Sequence, residues 1–308
     1  MKFWVGTTDN EWFRFLRNRG ADEVNFWQPR GAVQYNSLNP GSLFLFKLKR
    51  PHNHIAGGGY FVKSTSLPMS MAWDTFGVQN GAADWPQFSA MIRKLTGSAP
   101  NADPTLGCTV LSNVFFWNDG DWIAEPPGWS GSIVRGRYFD SVETIGEQLW
   151  HQVQMRLLRN TAGESHSNRY GEPCLVNPRL GQGAFRVLVT DAYARRCAIT
   201  GESTLPVLEA AHILPYAESG PHSISNGMLL RSDFHKLFDL GLITVTPDLR
   251  VEISSRIKEE FFNGKAYYRL NGHRLANLPA ANEFLPDNYT SPAHCALLFL
   301  SVQRFRPL

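Results

Sequence analysis

The chain has 308 residues, of which 43% are hydrophobic and 12% aromatic, and a formal net charge of +3. This length suffices for two domains, each with a core, and the composition is that of a folded rather than a disordered protein. The small excess of basic residues lies in residues 151–308 and permits nucleic-acid binding without indicating it. No window predicts a membrane helix, and residues 1–13 lack the apolar core of a signal peptide, so we expect a cytoplasmic protein without a membrane partner.

The four cysteines lie far apart in the sequence, at positions 108, 174, 197 and 295, and form no CxxC pair. Disulfide frameworks and zinc sites need cysteines at characteristic short spacings. We therefore expect free thiols, as in a reducing compartment, and no structural zinc.

The first 150 residues have the pattern of short strands separated by aromatic-rich loops. Residues 2–7 predict a strand, and "TDNEWFRFLRNRG" predicts a helix that stops at Gly20. The segment "GSLFLFKLKRPHNHIAGGGYFVKST" predicts two strands joined by a loop that holds Pro51 and three glycines, and "GCTVLSNVFFW" predicts a further strand. This pattern indicates a compact α+β domain with a curved or barrel-like sheet and helices.

A helix and a polar segment follow. Residues 143–159 place five apolar side chains on one helical face: Ile145, Leu149, Val153, Leu157 and Leu158. The next residues are rich in Gly, Ser, Asn and Pro, and "AFRVLVTDAYARRC" then predicts the first helix of a new domain. We expect an N-terminal domain over 1–160, a linker over 161–182 and a C-terminal domain over 183–308.

Residues 208–241 contain three of the nine histidines. His212 ends an apolar stretch that predicts a strand, Asn226 follows fourteen residues later, and His235 stands nine residues after that in a predicted helix. His235 and Asp239 are four residues apart and should project side by side, where they could share a metal, or the carboxylate could orient the imidazole. One-metal phosphodiester hydrolysis requires a neutral imidazole to deprotonate water and a cation to stabilise charge on the phosphate. We expect Asn226 to close the loop through backbone hydrogen bonds and hold the imidazole in its working orientation.

The motifs "AAHI", "NG" and "HKLFDLG" at these spacings resemble the HNH nuclease family, with its ββα-metal fold, over about residues 183–250. The resemblance implies that His212 is the general base, Asn226 the central asparagine and His235 a ligand of Mg²⁺ or Mn²⁺. It also implies that "RRCAITGE" is the strand leading into the motif. We expect His222, in the loop, to be exposed to solvent and to have no role.

The chain departs from the family at one position that bears on the metal. Many members have a ligand directly before the base, where this chain has Ala211. The missing ligand must come from Asp239, Asp233 or Glu209, or from water. Asp239 is favoured by its helical register with His235. Glu209 shares a strand face with Ala211 but lies about 7 Å along the strand, a gap that its side chain only partly bridges.

The segments "VNFWQPRG", "LFLFKLKRPHNHIAGGGYFV" and "LPMSMAWDTFG" resemble the EVE branch of the PUA-like domains, relatives of readers of modified bases, across about residues 1–150. Together the two resemblances are those of an EVE-HNH modification-dependent restriction endonuclease of type IV kind. They imply that the N-terminal domain flips a modified cytosine, carrying a 5-methyl or 5-hydroxymethyl group, out of duplex DNA. The HNH domain would then cut nearby.

Trp27 is our first candidate for a wall of the base pocket, with Asn25 or Gln28 as readers of the base edge and Trp73 and Tyr60 as further aromatic candidates. A tryptophan in a β-rich domain is also often a core residue, and that alternative stays open. Four basic side chains could contact phosphates or form a solvated edge: Lys47, Lys49, Arg50 and His52.

Two alternatives to this reading remain. One is a modified-base reader whose HNH domain is inactive because of Ala211, and the other is a nuclease whose first domain has RNA or unmodified DNA as its target. In the nuclease reading, one site cuts one strand. A double-strand break then needs two binding events or two protomers, as in a homodimer.

Overall fold

The computed structural model describes residues 1–29, 31, 35–161, 175, 180–214, 221–246 and 248–279. The chain divides into two compact units, Met1–Ala184 and Phe185–Leu308. Most of the predicted linker lies outside the described residues, as do residues 280–308. Both units combine helices with strands, so the chain belongs to the predicted α+β class.

One sheet organises the first unit. Its strands are β1 (Lys2–Thr8), β2 (Glu23–Asn25), β3 (Leu43–Leu48), β4 (His54–Pro68), β5 (Thr105–Phe116), β6 (Ile123–Ala124) and β7 (Gly136–Asp140), and its helices are α1 (Asn10–Arg19), α2 (Met69–Phe76), α3 (Trp85–Thr96) and α4 (Thr144–Thr161). The strand order is β2-β5-β4-β3-β1-β7, with β6 paired to β4. The β1 and β3 strands run parallel and the other neighbours antiparallel. Among the described residues β2 and β7 do not pair, so the sheet is open and the predicted barrel is not observed.

Local signals set the start and end of α1, as the sequence predicted. The carboxylate of Asp9 accepts hydrogen bonds from the backbone N–H groups of Glu11 and Trp12, at 3.0 and 3.3 Å. These bonds satisfy N–H groups that have no partner within the helix. Gly20 ends the helix in the left-handed region at φ 60°, a conformation that costs glycine little.

The three successive glycines lie inside β4, and not in the preceding loop as predicted. A β-carbon at Gly57 would stand 2.3 Å from the carbonyl oxygen of Phe115, and one at Gly58 would stand 2.6 Å from that of Phe44. The neighbouring strands therefore leave no room for side chains at these positions.

A hairpin followed directly by a helix forms the centre of the second unit, as predicted. The remaining elements are α5 (Gln182–Ala192), β8 (Leu208–His212), β9 (Gly227–Arg231), α6 (Ser232–Asp239), β10 (Ile243–Val245), β11 (Val251–Ile253), α7 (Arg256–Phe261) and α8 (Lys265–Tyr268). The β8 and β9 strands pair antiparallel, as do β10 and β11. Because α6 begins at the residue after β9, the hairpin register also sets where the helix starts.

The segment that leads into the hairpin, residues 195–202, forms turns, so the strand predicted there is wrong. The buried sulfur of Cys197 accepts hydrogen bonds from the backbone N–H groups of Thr200 and Arg231, at 3.4 and 3.3 Å. These bonds hold residues 197–200 in a turn around the sulfur, and the segment does not form the backbone hydrogen-bond pattern of a strand. Cys108 and Cys197 are both buried free thiols.

The core of the second unit lies beneath the hairpin and α6. Its members include Phe185, Tyr193, Ala211, Met228, Phe234 and Phe238. Burial of these apolar groups supplies the main favourable free energy for holding α6 against the two strands. Among the helices that the structure describes, none has both the length and the apolar character that a bilayer crossing requires.

Candidate functional site

Asn226 closes the loop between β8 and β9. Its side-chain Nδ2 donates to the carbonyl oxygens of Leu214 and Pro221, at 3.1 and 2.9 Å, and its Oδ1 accepts the N–H of Leu214 at 2.8 Å. His212, at the end of β8, lies opposite Gly227, the residue that follows Asn226. The buried amide therefore fixes the backbone next to His212 through the type of bond that the sequence led us to expect.

The imidazole of His212 is held at one face and at one edge. The ring of Phe185 stacks on it with centroids 3.9 Å apart and an interplanar angle of 10°. Its Nε2 lies 3.1 Å from Nδ1 of His222. Burial, and then repulsion from His222, His235 and Arg186, lowers the pKa of His212 from its usual 6.5 to about 4. The imidazole is therefore neutral near pH 7, the state that a general base requires.

His222 and Phe185 are the residues of this site that the sequence analysis missed. His222 is half-buried rather than exposed as expected, and burial lowers its pKa. Its position four residues before Asn226, inside the loop that the amide closes, was a signal that could have drawn attention to it. Phe185 stands far upstream in α5, and no local spacing connects it with His212.

His235 and Asp239 lie side by side on α6, next to the face that buries Phe234 and Phe238. The Nδ1 atom of His235 is 2.6 Å from Oε2 of Glu209, and its Nε2 atom is 3.4 Å from Oδ2 of Asp239. Glu209 lies on β8, so the carboxylate that bonds to His235 comes from the neighbouring strand. The structure thus places Glu209 and Asp239 on opposite nitrogens of one imidazole.

The pair of His235 and Asp239 could hold a small divalent ion. Two ligand atoms that bind one ion at about 2.1 Å are about 3.0 to 3.4 Å apart, which matches the observed 3.4 Å. Among the described residues no group of three or more His, Cys, Asp or Glu could hold a metal. Mg²⁺ needs few protein ligands because it commonly keeps several waters and binds substrate phosphate oxygens, and the carboxylate of Asp239 suits it, whereas the imidazole of His235 is more typical of transition metals. Glu209, at 2.6 Å from Nδ1 of His235, could orient the imidazole for binding an ion.

Asp233 and Ala211 have structural roles in the second unit that keep them away from a metal. The carboxylate of Asp233 accepts two hydrogen bonds from Arg231, at 2.7 and 2.8 Å, and one from the hydroxyl of Tyr267 at 3.3 Å. Ala211 is fully buried in the core, opposite Met228. A carboxylate at position 211 would lie among apolar side chains at a large desolvation cost, so the strand geometry explains the alanine.

A second candidate site, the tryptophan cluster, lies in the first unit and consists of Trp27, Trp73, Trp85 and Phe88. The three tryptophans are half-buried, and their ring centroids lie 5.9, 5.6 and 6.4 Å from that of the buried Phe88. The indole N–H of Trp27 donates to the carbonyl of Asn80 at 2.8 Å, which fixes the direction of the ring. Partly exposed aromatic faces of this kind can stack on nucleic-acid bases.

The structure brings together only some of the residues predicted for the base pocket. Trp27 and Trp73 share the cluster, and Trp85 joins them although the sequence did not single it out. The half-buried Gln28 follows Trp27 directly and pairs its backbone with Gly107. Trp85 opens α3, where Asp84 caps the helix and Pro86 follows, a helix-start pattern that the sequence carries.

Asn25 and Tyr60 have other positions. Asn25 is fully buried and donates to Oδ1 of Asn80 at 2.9 Å, so it is a core residue and not an exposed reader of a base edge. The ring of Tyr60 packs 6.4 Å from that of Phe115, in a different part of the core from the tryptophan cluster. Successive residues of a strand point to opposite faces of the sheet, so Tyr60 and its neighbour Phe61 belong to different parts of the core.

The basic residues at the end of β3 and directly after it differ in burial. Lys47 is buried, and its ammonium group forms an ion pair with Glu125 at 2.5 Å, an arrangement that does not favour the predicted phosphate contact. Lys49 is exposed and pairs with Asp9 at 3.1 Å, and Arg50 is exposed. Because a buried ammonium requires a paired carboxylate, Lys47 serves the fold, and Lys49, Arg50 and the half-buried His52 remain candidates for DNA contact.

Comparison with known proteins gives a family match that covers the candidate nuclease site, together with similar solved structures. Among solved structures, a mutant of the ASCH protein from Zymomonas mobilis is 9% identical, with a TM-score of 0.34, over 50% of this chain and 99% of that chain. A modification-dependent TagI restriction endonuclease is 12% identical, with a TM-score of 0.27, over 93% of this chain and 76% of that chain. No curated protein matches the chain. Residues 197–246, which include β8, β9 and α6, match the family described as HNH endonuclease, and the second unit therefore contains an HNH endonuclease domain.

Proposed function

We propose that the protein is a divalent-metal-dependent endonuclease that cuts DNA containing modified cytosine. The observation that carries the nuclease part is the hairpin and helix of the HNH domain. The hairpin carries a neutral His212 and the helix carries the pair of His235 and Asp239, and His235 is near enough to His212 to add to the effect of burial in lowering its pKa. A base and an ion site in one place are what hydrolysis of a phosphodiester requires.

In this mechanism His212 accepts the proton of the attacking water. Its lowered pKa keeps the ring unprotonated near neutral pH, while the loop bonds of Asn226 hold the end of β8 in place. A base with a pKa of about 4 is weak, because base catalysis is most effective when the pKa lies near the working pH. The negative charge of a bound DNA phosphate would raise the pKa of His212 and so strengthen the base.

The other side of the site consists of His235, Asp239 and Glu209. A divalent ion held by His235 and Asp239 would supply positive charge that stabilises the phosphate and the leaving oxygen. Glu209 accepts the N–H at Nδ1 of His235, which leaves the lone pair of Nε2 directed towards Asp239. The carboxylate thereby orients the ring for binding the ion.

For the first unit we propose that the tryptophan cluster stacks on a flipped cytosine that carries a 5-methyl or 5-hydroxymethyl group. Flipping costs a few kcal/mol, and stacking on an aromatic ring contributes about 1 to 3 kcal/mol per base. A methyl group by itself adds only about 0.8 kcal/mol of apolar burial. Discrimination must therefore come from the shape of the pocket and from bonds to the base edge, for which Gln28 is the candidate. Lys49 and Arg50 are the candidates for phosphate contacts.

Cleavage of matched plasmids tests the proposal. Plasmids with cytosine, 5-methylcytosine or 5-hydroxymethylcytosine are incubated with the wild-type protein and Mg²⁺ or Mn²⁺, with His212→Ala as the inactive control. We expect cleavage of a modified plasmid and none of the unmodified one. Nicked product would indicate independent single-strand cuts, and linear product would indicate paired action of two sites.

Three other outcomes contradict parts of the proposal. Equal cutting of all plasmids contradicts the reading of modification, and preferential cutting of RNA contradicts the DNA target. No cutting of any substrate, with intact binding to modified DNA, would make the protein a modified-base reader with an inactive HNH domain.

A further inference from the structure

Only one of the two ring nitrogens of His212 lies within hydrogen-bonding distance of a described residue. The Nε2 atom lies 3.1 Å from Nδ1 of His222, which is hydrogen-bonding distance. No described residue forms a hydrogen bond with Nδ1 of His212. A water molecule that is to lose its proton to His212 must therefore approach Nδ1.

A hydrogen bond between two neutral imidazoles contains one N–H and one lone pair, so two arrangements exist. In the first, Nε2–H of His212 donates to His222, and Nδ1 of His212 keeps its lone pair. In the second, Nδ1–H of His222 donates, Nε2 of His212 accepts, and the proton of His212 is on Nδ1. The second arrangement leaves His212 without an accessible lone pair, and only the first can abstract a proton.

We propose that His222 is a positioning residue that accepts the Nε2–H of His212 and thereby makes Nδ1 the nitrogen that takes the proton from water. The proposal rests on the proposed function of His212 as the general base. Phe185 and His222 each restrict the imidazole of His212 in a different way. The stacked Phe185 fixes the plane of the imidazole, and the bond to His222 selects which of its two edges faces the water.

The proton balance of the step is simple. Water loses a proton to Nδ1 of His212, and His212 becomes an imidazolium. The resulting hydroxide oxygen forms a bond to phosphorus while the bond from phosphorus to the leaving sugar oxygen breaks, and the leaving oxygen takes a proton from solvent water. The imidazolium keeps its Nε2–H bonded to the lone pair of His222, and this bond strengthens because its donor is now charged. No proton has to pass to His222 during the step.

Nitrogen-15 NMR of the full-length, histidine-labelled protein without metal, near neutral pH, tests the assignment directly. We expect His212 to carry its proton on Nε2 and to show an unprotonated Nδ1, and His222 to show an unprotonated Nδ1. The signals are assigned through His212→Ala and His222→Leu, with the exposed His273 as the reference for an unconstrained ring. A proton on Nδ1 of His212 overturns the proposal.

Two substitutions of similar size distinguish the effect of the hydrogen bond to His212 from the effect of filling the space beside it. The side-chain oxygen of His222→Asn can accept the same bond, whereas His222→Leu fills the space without an acceptor. We expect His222→Leu to reduce the single-turnover cleavage rate about 10- to 100-fold, as when the partner of a functional histidine is removed. His222→Asn should retain most of the rate. Equal losses in both variants, or no loss in His222→Leu, overturn the proposal.

The two measurements keep this inference apart from the proposed function. If the wild-type protein cuts no DNA, the proposed function fails, while the NMR result still decides which nitrogen of His212 carries the proton. If the wild-type protein cuts DNA but its His212 is protonated on Nδ1, only the role of His222 fails. Should His222→Leu not fold, the tautomer measured in the wild-type protein decides alone.

Discussion

The HNH site and the tryptophan cluster differ in how their residues come together. The HNH residues between Glu209 and Asp239 meet because one hairpin and the helix directly after it set their relative positions. Trp27, Trp73 and Trp85 come from separate parts of the first unit and meet through their packing on Phe88, apart from the contact between Trp73 and Trp85. Sequence spacing therefore describes the first site well and the second poorly.

The polar contacts of the two sites differ as well. In the HNH site, functional side chains bond to one another, as in the pairs of His212 with His222 and of His235 with Glu209. In the tryptophan cluster, the indole N–H of Trp27 bonds to a backbone carbonyl, and its half-buried ring meets Phe88 at an interplanar angle of 84°. We therefore expect substitutions in the first site to change the cleavage rate and substitutions in the second to change DNA binding.

The largest effect is expected from His212→Ala. A general base contributes about 10²- to 10⁴-fold to a rate, so the single-turnover cleavage rate should fall by that factor. DNA affinity, measured by fluorescence anisotropy, should stay near the wild-type value. His273→Ala removes an exposed histidine of the same unit and should leave both quantities unchanged. A loss of affinity that accounts for the whole loss of rate would contradict the separation between the two sites.

Glu209→Gln should have the next largest effect. Without the carboxylate that bonds to Nδ1 of His235, the affinity for Mn²⁺ should fall about 10- to 100-fold, which titration calorimetry measures. Asp233→Asn is the matched control, because Asp233 pairs with Arg231. It should lower the melting temperature and leave Mn²⁺ affinity unchanged. Equal losses of Mn²⁺ affinity in the two variants would show that Glu209 does not orient the metal ligand.

Trp27→Ala should weaken binding to duplexes with modified cytosine on the order of tenfold, because one stacking contact is lost. The rate of cleavage at saturating protein should change little. Tyr60→Ala is the aromatic control, since Tyr60 packs with Phe115 outside the cluster. If Tyr60→Ala weakens binding as much as Trp27→Ala, at equal melting temperatures, the assignment of the base pocket to the tryptophan cluster is wrong.

The smallest effect is expected in the pH dependence of stability of the metal-free protein. The pKa of His212 is about 4 when folded and about 6.5 when unfolded, so between these values the unfolded chain binds more protons. The stability present above pH 6.5 should therefore be lost progressively as the pH falls towards 4. In His212→Gln the melting temperature should depend less on pH over this interval. An unchanged dependence would mean that His212 is not held neutral by the fold.

The sequence by itself determined the features that depend on neighbouring residues. The cap at Asp9 and the stop at Gly20 were readable because both act within one turn of α1. The order of strand, loop and helix around His212 and His235 was readable because it follows from apolar periodicity and turn residues. The side-by-side placement of His235 and Asp239 follows from the helical repeat alone.

Only the tertiary structure decided the roles of residues whose partners are distant in sequence. Asn25 and Lys47 have polar side chains that suit a binding surface, yet the fold of the first unit buries both and supplies Asn80 and Glu125 as their partners. The folding of α6 against β8 brings Glu209 to His235, and the closed loop brings His222 to His212. The physical reason is that burial and long-range hydrogen bonds depend on which elements pack together, and residue spacing does not contain that information.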